Sequence, residues 1–189
     1  MTKTEAIQEA VQNLKSGNII LCPTDTIYGI SCDATNEAAV QKIIDLKRRD
    51  QSKSFIILVN SDRMVNQCFK DIPEVVWDMI DLNDQPITIV MDDGQYVAKN
   101  VLNRDGSLGM RYIKNGAINE ILKKHNKPIV STSANFSGEP SPMSYDEINT
   151  ELLDQLDFVF PNISEEEMSG KPSKIIQIRS NGEVKILRK

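Results

Sequence analysis

The sequence contains a single histidine, His125, and only three cysteines, Cys22, Cys32 and Cys68. One histidine excludes catalytic mechanisms that need several imidazole groups. The cysteines are odd in number and none belongs to a Cys-x-x-Cys pair, so neither a zinc site nor a disulfide framework is indicated. We expect buried, reduced thiols at these three positions instead.

Long apolar runs are also missing. No stretch approaches the ~20 apolar residues that a membrane-spanning helix needs. The N-terminal segment is polar and amphipathic, without the apolar core of a signal peptide. We therefore expect a cytoplasmic protein with no membrane contact. The chain has 189 residues, of which 40% are hydrophobic and 26% charged, and this composition predicts a single globular domain over residues 1–189.

Positive charge and nucleotide-binding glycine motifs are scarce. The net charge of -5 and the isoelectric point near 5.0 argue against non-specific coating of nucleic acid, although a local basic cleft stays compatible with them. The segment Gly170-Lys171-Pro172-Ser173 resembles the end of a P-loop but lacks the first glycine of that motif. No Rossmann glycine fingerprint is present either, so any nucleotide must be bound by another design.

The hydrophobic pattern predicts alternating helices and strands. Helices are predicted at residues 4–15, from Asn36 to Arg49, at 61–69, 73–82 and 116–125, and from the capping-box pair Ser144 and Glu147 to about 155. Strands are predicted at 18–22, 55–59, 87–91, 108–112, just before Ser131, and at 174–179 and 183–188 around an Asn181-Gly182 turn. Residues 92–107 are predicted to be a loop with a short helix. The fold class is α/β (α+β), a single domain with a mixed sheet flanked by helices.

The most informative polar segment is Ser131 to Asn135, which follows the apolar residues Pro128-Ile129-Val130. Ligands of open α/β sheets bind at the carboxyl ends of strands. Hydroxyl and amide groups placed there can hold phosphate or carboxylate oxygens without adding charge. An ordinary strand-to-loop turn is the alternative, because serine, threonine and asparagine favour turns.

A second polar segment, Pro23 to Gly29, also follows a predicted strand. Its two threonines, its aspartate and its tyrosine could bracket a small polar substrate. The alternative is a capped turn in which Asp25 binds local backbone N–H groups.

Two basic features complete the set. Residues 47–53 carry four cations in seven residues, and Lys47 and Arg49 could grip phosphates. The alternative is a helix C-terminus whose dipole these cations complement. Arg111 interrupts an apolar strand, where it either faces a crevice as an anion ligand or lies on a surface edge.

Taken in order, these segments resemble the YrdC/TsaC family of threonylcarbamoyl-AMP synthases over nearly the whole chain. The most specific matches are a Lys-x-Arg pair, Lys47 and Arg49, and a Ser-x-Asn pair, Ser133 and Asn135. Supporting matches are Pro23 to Gly29, Pro86-Ile87-Thr88, Arg111, Ser131 to Asn135, Ser137 to Pro142, Pro172-Ser173 and the Leu187-Arg188 ending.

The resemblance implies a twisted sheet around a basic concave cleft. It also implies a nucleotidyltransferase reaction, in which L-threonine, bicarbonate and ATP give L-threonylcarbamoyladenylate and diphosphate. A separate tRNA threonylcarbamoyl transferase complex would use this product for the tRNA modification N6-threonylcarbamoyladenosine at position 37. The resemblance assigns Thr24, Arg111, Ser131 and Ser173 to threonine, and Lys47, Arg49, Ser133, Asn135, Ser141 and Arg188 to the nucleotide, with Lys47, Arg49, Ser133 and Asn135 as the catalytic set. Mg²⁺ would arrive with ATP as substrate, and no metal ligands are expected from the protein.

The chain departs from the family pattern at Asp50, Ser54 and Lys174. Such changes resemble a paralogous branch, which nevertheless tends to lose the Ser-Ala-Asn element that this chain keeps. Two other functions stay open. One is an RNA-binding paralogue that holds double-stranded RNA or tRNA without synthase activity. The other is the carbamoyl-adenylate domain of larger carbamoyltransferases.

Overall fold

The computed structural model describes residues 1–48, 55–162 and 168–189. Its strands are β1 (Ile20–Pro23), β2 (Tyr28–Asp33), β3 (Ile56–Val59), β4 (Ile87–Met91), β5 (Leu108–Tyr112), β6 (Ile129–Ser133), β7 (Phe158–Val159), β8 (Lys174–Ile178) and β9 (Val184–Arg188). Its helices are α1 (Lys3–Lys15), α2 (Glu37–Lys47), α3 (Asp62–Cys68), α4 (Glu74–Leu82), α5 (Gly116–His125) and α6 (Thr150–Leu153), with 3₁₀ turns at Lys99–Val101 and Tyr145–Glu147.

The described strands form one mixed sheet in the order β7-β1-β2-β6-β3-β5-β4-β8-β9. β3 is central, antiparallel to β6 and parallel to β5. Its continuous apolar run is therefore buried on both faces of the sheet, as the sequence predicts. The α/β class with a mixed sheet is confirmed.

Side chains alternate between the two faces of each strand, and each face has its own core. Ile57 belongs to a cluster that includes residues of α2, α3 and α4. Its neighbour Leu58 belongs to a second cluster, with residues of α1 and α5. This second cluster reaches the sheet through Ile20, Cys22, Leu58 and Ile129. The candidate site lies on this same face of the sheet, over β4 and the C-terminal end of β6.

The helix ends follow from local chemistry. Thr2 and Glu5 form a capping box at the start of α1, so each satisfies a backbone N–H of the other's residue. Asn36 caps α2, and Arg48 ends it in the left-handed conformation. The predicted extension of α2 through Arg49 falls on a residue outside the described ranges.

The structure differs from the sequence predictions in four places. β2 was not predicted, and neither was the short edge strand β7. The polar stretch from Ser131 to Ser133 is not a loop after a strand, because β6 continues through it. The Ser144 capping box does not form, since the Ser144 side chain caps nothing and the Glu147 carboxylate accepts from Met143 N at 2.8 Å. A 3₁₀ turn and the short α6 therefore replace the predicted helix.

The three cysteines are buried and free, as expected. Burial raises the pKa of all three thiols, to about 12 at Cys68. None of the described helices has both the length and the apolar character that crossing a membrane requires.

Candidate active site

A cavity of about 250 Å³ lies over β6, β3, β5 and β4; we call it the central cavity. The strand register explains its walls. Arg111 on β5 pairs with Thr88 on β4, so both side chains point to the same face. Ser131 on β6 pairs with Ser31 on β2 and Ile56 on β3, again on this face. The serines and threonines that line the cavity are Thr24, Thr26, Thr88, Ser131, Thr132, Ser133, Ser141 and Ser173.

Arg111 is the deepest charged group of the central cavity, with a side chain that is 5% exposed. Its Nε lies 3.0 Å from Asp25 Oδ1, and its Nη2 lies 3.4 Å from Thr24 Oγ1. Burial lowers the pKa of Arg111 and nearby Arg188 lowers it further, whereas Asp25 opposes both effects. Burial raises the pKa of the Asp25 carboxyl, and Arg111 works against that rise. The crevice-facing interpretation of Arg111 therefore holds.

Arg188 closes the opposite wall from the edge strand β9. Its Nε and Nη2 donate to Ser173 O at 2.9 and 2.6 Å. The Ser173 hydroxyl shares a hydrogen bond of 2.8 Å with the Thr88 hydroxyl. Burial lowers the pKa of Arg188. Ser173 is thus fixed between an arginine and a buried threonine, with its backbone carbonyl already used.

The Thr24–Ile27 loop forms the rim beside Arg111. Thr24 Oγ1 lies 2.7 Å from the Ile27 carbonyl, to which it donates, and it accepts from Thr26 N at 3.1 Å. Two backbone hydrogen bonds fasten this loop to a distant segment, from Ser169 N to Asp25 O and from Gly170 N to Thr26 O. The loop is therefore a turn capped by the Thr24 side chain rather than by Asp25, and Thr24 and Thr26 also line the central cavity.

The floor near β2 is tightly packed. The Ser31 hydroxyl donates to Ser131 Oγ at 3.3 Å. A Cβ added to Gly29 would lie 2.2 Å from that same Ser131 oxygen. Glycine at this position leaves the space in which the Ser131 hydroxyl stands.

Lys47 contacts the Ser133–Asn135 turn without lining the central cavity. Its ammonium donates to the carbonyls of Ser133, at 2.5 Å, and Asn135. Its own carbonyl accepts from Ser137 N at 3.2 Å. The Ser133 hydroxyl donates to the Asn135 side-chain oxygen, and the Asn135 amide donates to Phe136 O and Glu139 O at 2.9 and 2.7 Å. Lys47 therefore holds the turn that presents Ser133 to the cavity.

Most of the site residues proposed from the sequence meet in the central cavity. Those that line it are Thr24, Arg111, Ser131, Ser133, Ser141, Ser173 and Arg188. Lys47 lines a different cavity beside α2, and Asn135 supports the turn. Arg49 lies outside the described residues, as do the departures Asp50 and Ser54.

Sequence reasoning missed one supporting residue, Ser31. Thr26 and Thr88 were named only as members of their motif segments, without an individual role. Ser31 could have been found from the alternation of apolar and polar residues over 28–33. Within the three described ranges, no group of three or more His, Cys, Asp or Glu side chains is arranged to hold a metal ion.

Solved structures share this fold. YciO of E. coli matches with a TM-score of 0.80 at 19% identity, over 100% of this chain and 90% of that one. Sua5 of P. abyssi, solved in complex with L-threonine, matches with a TM-score of 0.79 at 21% identity. The Sua5 match covers 94% of this chain but only 52% of Sua5. At these identities the likeness establishes the fold.

Two curated relatives carry the name of a synthase. A protein of Methanocaldococcus jannaschii, provisionally named a threonylcarbamoyl-AMP synthase, is 33% identical over 171 residues, which are 90% of this chain and 79% of that one. The threonylcarbamoyl-AMP synthase of Vibrio campbellii is 28% identical over 174 residues, which are 89% of this chain and 91% of its own. The model of the Sua5/YciO/YrdC family, described as "Telomere recombination", matches residues 12–189. With that match spanning the sheet and every described wall of the cavity, the chain belongs to the Sua5/YciO/YrdC family.

Proposed function

We propose that this chain is a threonylcarbamoyl-AMP synthase, which forms L-threonylcarbamoyladenylate and diphosphate from L-threonine, bicarbonate and ATP. The observation that carries the proposal is the central cavity, where Arg111 and Arg188 stand among serine and threonine hydroxyls. Relatives with the synthase name support it, as does the threonine complex of P. abyssi Sua5.

The chemistry suits such a cavity. Bicarbonate loses hydroxide to give carbon dioxide, and the threonine amine attacks its carbon. The C–N bond forms as one C=O π bond opens, the nitrogen releases a proton, and a carbamate results. A carbamate oxygen then attacks the α-phosphorus of ATP, the bond to the β-phosphate oxygen breaks, and diphosphate leaves. Neither step needs a protein nucleophile. The protein has to position two anions and stabilise the charge that develops between them.

The cavity offers two groups of ligands for this task. Arg111 would hold the threonine carboxylate through a charge-assisted hydrogen bond, with Thr24, Ser131 and Ser173 around the amino acid. On the nucleotide side, the ligands would be Ser133, Ser141 and Arg188, with Asn135 fixing the turn. Lys47 would act beneath this turn, and Arg49 is assigned to the phosphates by its motif alone. Mg²⁺ would enter on the phosphates of ATP.

The product would pass to a tRNA threonylcarbamoyl transferase complex. An acyl adenylate is prone to hydrolysis, so a second enzyme must consume it promptly. The chemistry of the product supports a prompt second step, and the synthase name of the curated relatives supports a role in tRNA modification.

Diphosphate release tests the proposed reaction. It should require L-threonine, bicarbonate and ATP together, and it should fall to background when any one of them is omitted. Arg49→Ala should lower turnover strongly, by about 10²-fold or more for a lost transition-state donor. Asn135→Ala should also lower turnover strongly, because the turn that presents Ser133 loses the hydrogen bonds of the Asn135 amide. Lys123→Ala, an exposed change on α5, is the matched control. Diphosphate release that does not depend on threonine would refute the proposal.

A further inference from the structure

We infer that Asp25 is a positioning residue of the threonine site, which orients the Arg111 guanidinium toward the carboxylate of the amino acid. The inference rests on the proposed function and adds a residue to it. Asp25 does not line the central cavity. It lines a neighbouring cavity of about 360 Å³, together with Asp84 and Lys114. Its effect on a substrate must therefore pass through Arg111.

Asp25 contacts Arg111 at Nε, so the terminal nitrogens of the guanidinium stay available to a substrate. Asp25 Oδ1 stands at the Nε side of Arg111, 3.0 Å away, and Thr24 lies 3.4 Å from Nη2. A planar guanidinium fixed at Nε cannot rotate freely about its stem. Its terminal nitrogens are then held on the side of the central cavity, where a carboxylate can accept from them.

The contact between Asp25 and Arg111 is electrostatic. The two atoms lie at ion-pair distance but are not aligned, so neither Asp25 Oδ1 nor Arg111 Nε has a hydrogen-bond partner among the described residues. Attraction between opposite charges is therefore what holds the guanidinium. An uncharged side chain of the same shape would hold it less well.

The charges around the central cavity also support a role for Asp25. Among described residues that line the central cavity, Arg111 and Arg188 are the charged groups, and the charge of Arg188 lowers the pKa of Arg111. Asp25 offsets one of the two positive charges. The opposite charge of Asp25 at Nε also favours the ionised form of the buried Arg111, which is the form that can hold a substrate carboxylate.

Asp25 is itself held in place. Its backbone carbonyl accepts from Ser169 N at 3.0 Å, and the next carbonyl, Thr26 O, accepts from Gly170 N at 2.9 Å. The segment 168–170 leads directly to Ser173. The same backbone therefore fixes Asp25 and a hydroxyl of the threonine site.

Threonine binding and kinetics test the inference in the full chain. Asp25→Ala should raise the KM and the Kd for L-threonine by about 10- to 100-fold, the loss expected when a ligand group is misplaced. The KM for ATP should stay within about twofold, because a charge-pair deletion acts mainly on the contacted ligand. Asp25→Asn keeps the shape and should lie between wild type and Asp25→Ala. Asp84→Asn, in the same neighbouring cavity, is the control and should match wild type.

The pH dependence of L-threonine affinity distinguishes a charge that positions Arg111 from a merely structural role of Asp25. Protonation of Asp25 removes the charge that holds Arg111, so wild-type affinity for L-threonine should fall as the pH drops toward the raised pKa of Asp25. The threonine carboxylate stays ionised over this range. Asp25→Asn should bind with an affinity that changes little over the same range. This comparison uses the wild-type protein, so it stands even when the alanine variant fails to fold.

The outcomes separate the two proposals. A wild type that does not bind L-threonine would remove the proposed function and this inference with it. A wild type that binds, with unchanged threonine affinity in Asp25→Ala or the same pH dependence in Asp25→Asn, would overturn only the role of Asp25. Equal losses of affinity for threonine and ATP in Asp25→Ala would also overturn it.

Discussion

Gly29 shows how closely single residues define the floor of the central cavity. In Gly29→Ala the new Cβ would displace the Ser131 hydroxyl and break its contact with Ser31. We expect a loss of about 1–3 kcal/mol in the free energy of unfolding, typical of overpacking. Urea unfolding would measure it. The double variant Gly29→Ala with Ser131→Ala should regain stability but not threonine affinity. A single variant as stable as wild type would contradict this reading.

Asp33 is a second residue with a measurable effect, far along β2 from the site. Burial opposes its ionised form, but His125, whose Nε2 lies 3.4 Å from Asp33 Oδ2, and hydrogen bonds from Thr35 and Lys127 outweigh burial and lower the pKa of the Asp33 carboxyl. A depressed folded-state pKa means that Asp33 stabilises the fold above the unfolded-state pKa. That contribution disappears as the pH falls through the folded-state pKa.

Asp33→Asn should therefore lower the free energy of unfolding at neutral pH. Hydrogen bonds to charged groups suggest a loss of about 1.5–3 kcal/mol. The loss should shrink in strongly acidic solution, where wild type also carries a neutral carboxyl. Urea unfolding at several pH values would measure both. Glu120→Gln, an exposed partner of Lys123, is the control and should show little change at any pH.

At the scale of elements, the turn after β6 depends on the last residue of α2. In Lys47→Met the carbonyls of Ser133 and Asn135 lose a charged donor. An unsatisfied buried acceptor costs about 1–3 kcal/mol, so the free energy of unfolding should fall by that order. Nucleotide affinity should fall as well, because the turn presents Ser133. Urea unfolding and ATP titration would measure the two effects. Lys123→Met, an exposed change on α5, is the control for a lost ammonium.

The sequence predicted those helices and strands whose buried residues follow a regular apolar pattern. α1, α5 and β3 bury regular apolar faces, and their predicted bounds agree with the structure within a few residues. β2 escaped prediction because one of its faces belongs to the site. Residues 28–33 do alternate between apolar and small or polar side chains, as a half-buried strand does, but Tyr28 and Gly29 were assigned to the polar segment before them.

The sequence predicted most of the residues that line the central cavity, but it did not predict the contacts among them. Arg111 was identified because a charged side chain inside an apolar strand must be paired with another polar group or bind a ligand. Its pairing with Asp25 depends on how a loop folds against a strand far along the chain, and no local pattern carries that information. The same holds for Lys47, whose sequence position suggested phosphate and whose ammonium meets backbone carbonyls instead.

At the scale of the whole molecule, charge separates the proposed enzyme from an RNA-binding paralogue. The net charge of -5 disfavours a continuous phosphate-binding surface. We expect no measurable binding of double-stranded RNA or unmodified tRNA at physiological salt. A fluorescence anisotropy titration at several salt concentrations would measure this. Tight binding with a steep salt dependence would instead favour the RNA-binding function.

The two-residue period of the strands has a consequence for which mutations the protein tolerates. Met110 and Arg111 are neighbours in β5, yet Met110 lies in the apolar core and Arg111 in the central cavity. Ile89 and Thr88 divide in the same way, as do Val130 and Ser131. Inserting or deleting one residue in these strands would send a guanidinium into the core and a hydrocarbon into the site. Length variation between relatives should therefore be confined to loops, while substitutions within a strand follow two alternating sets of requirements.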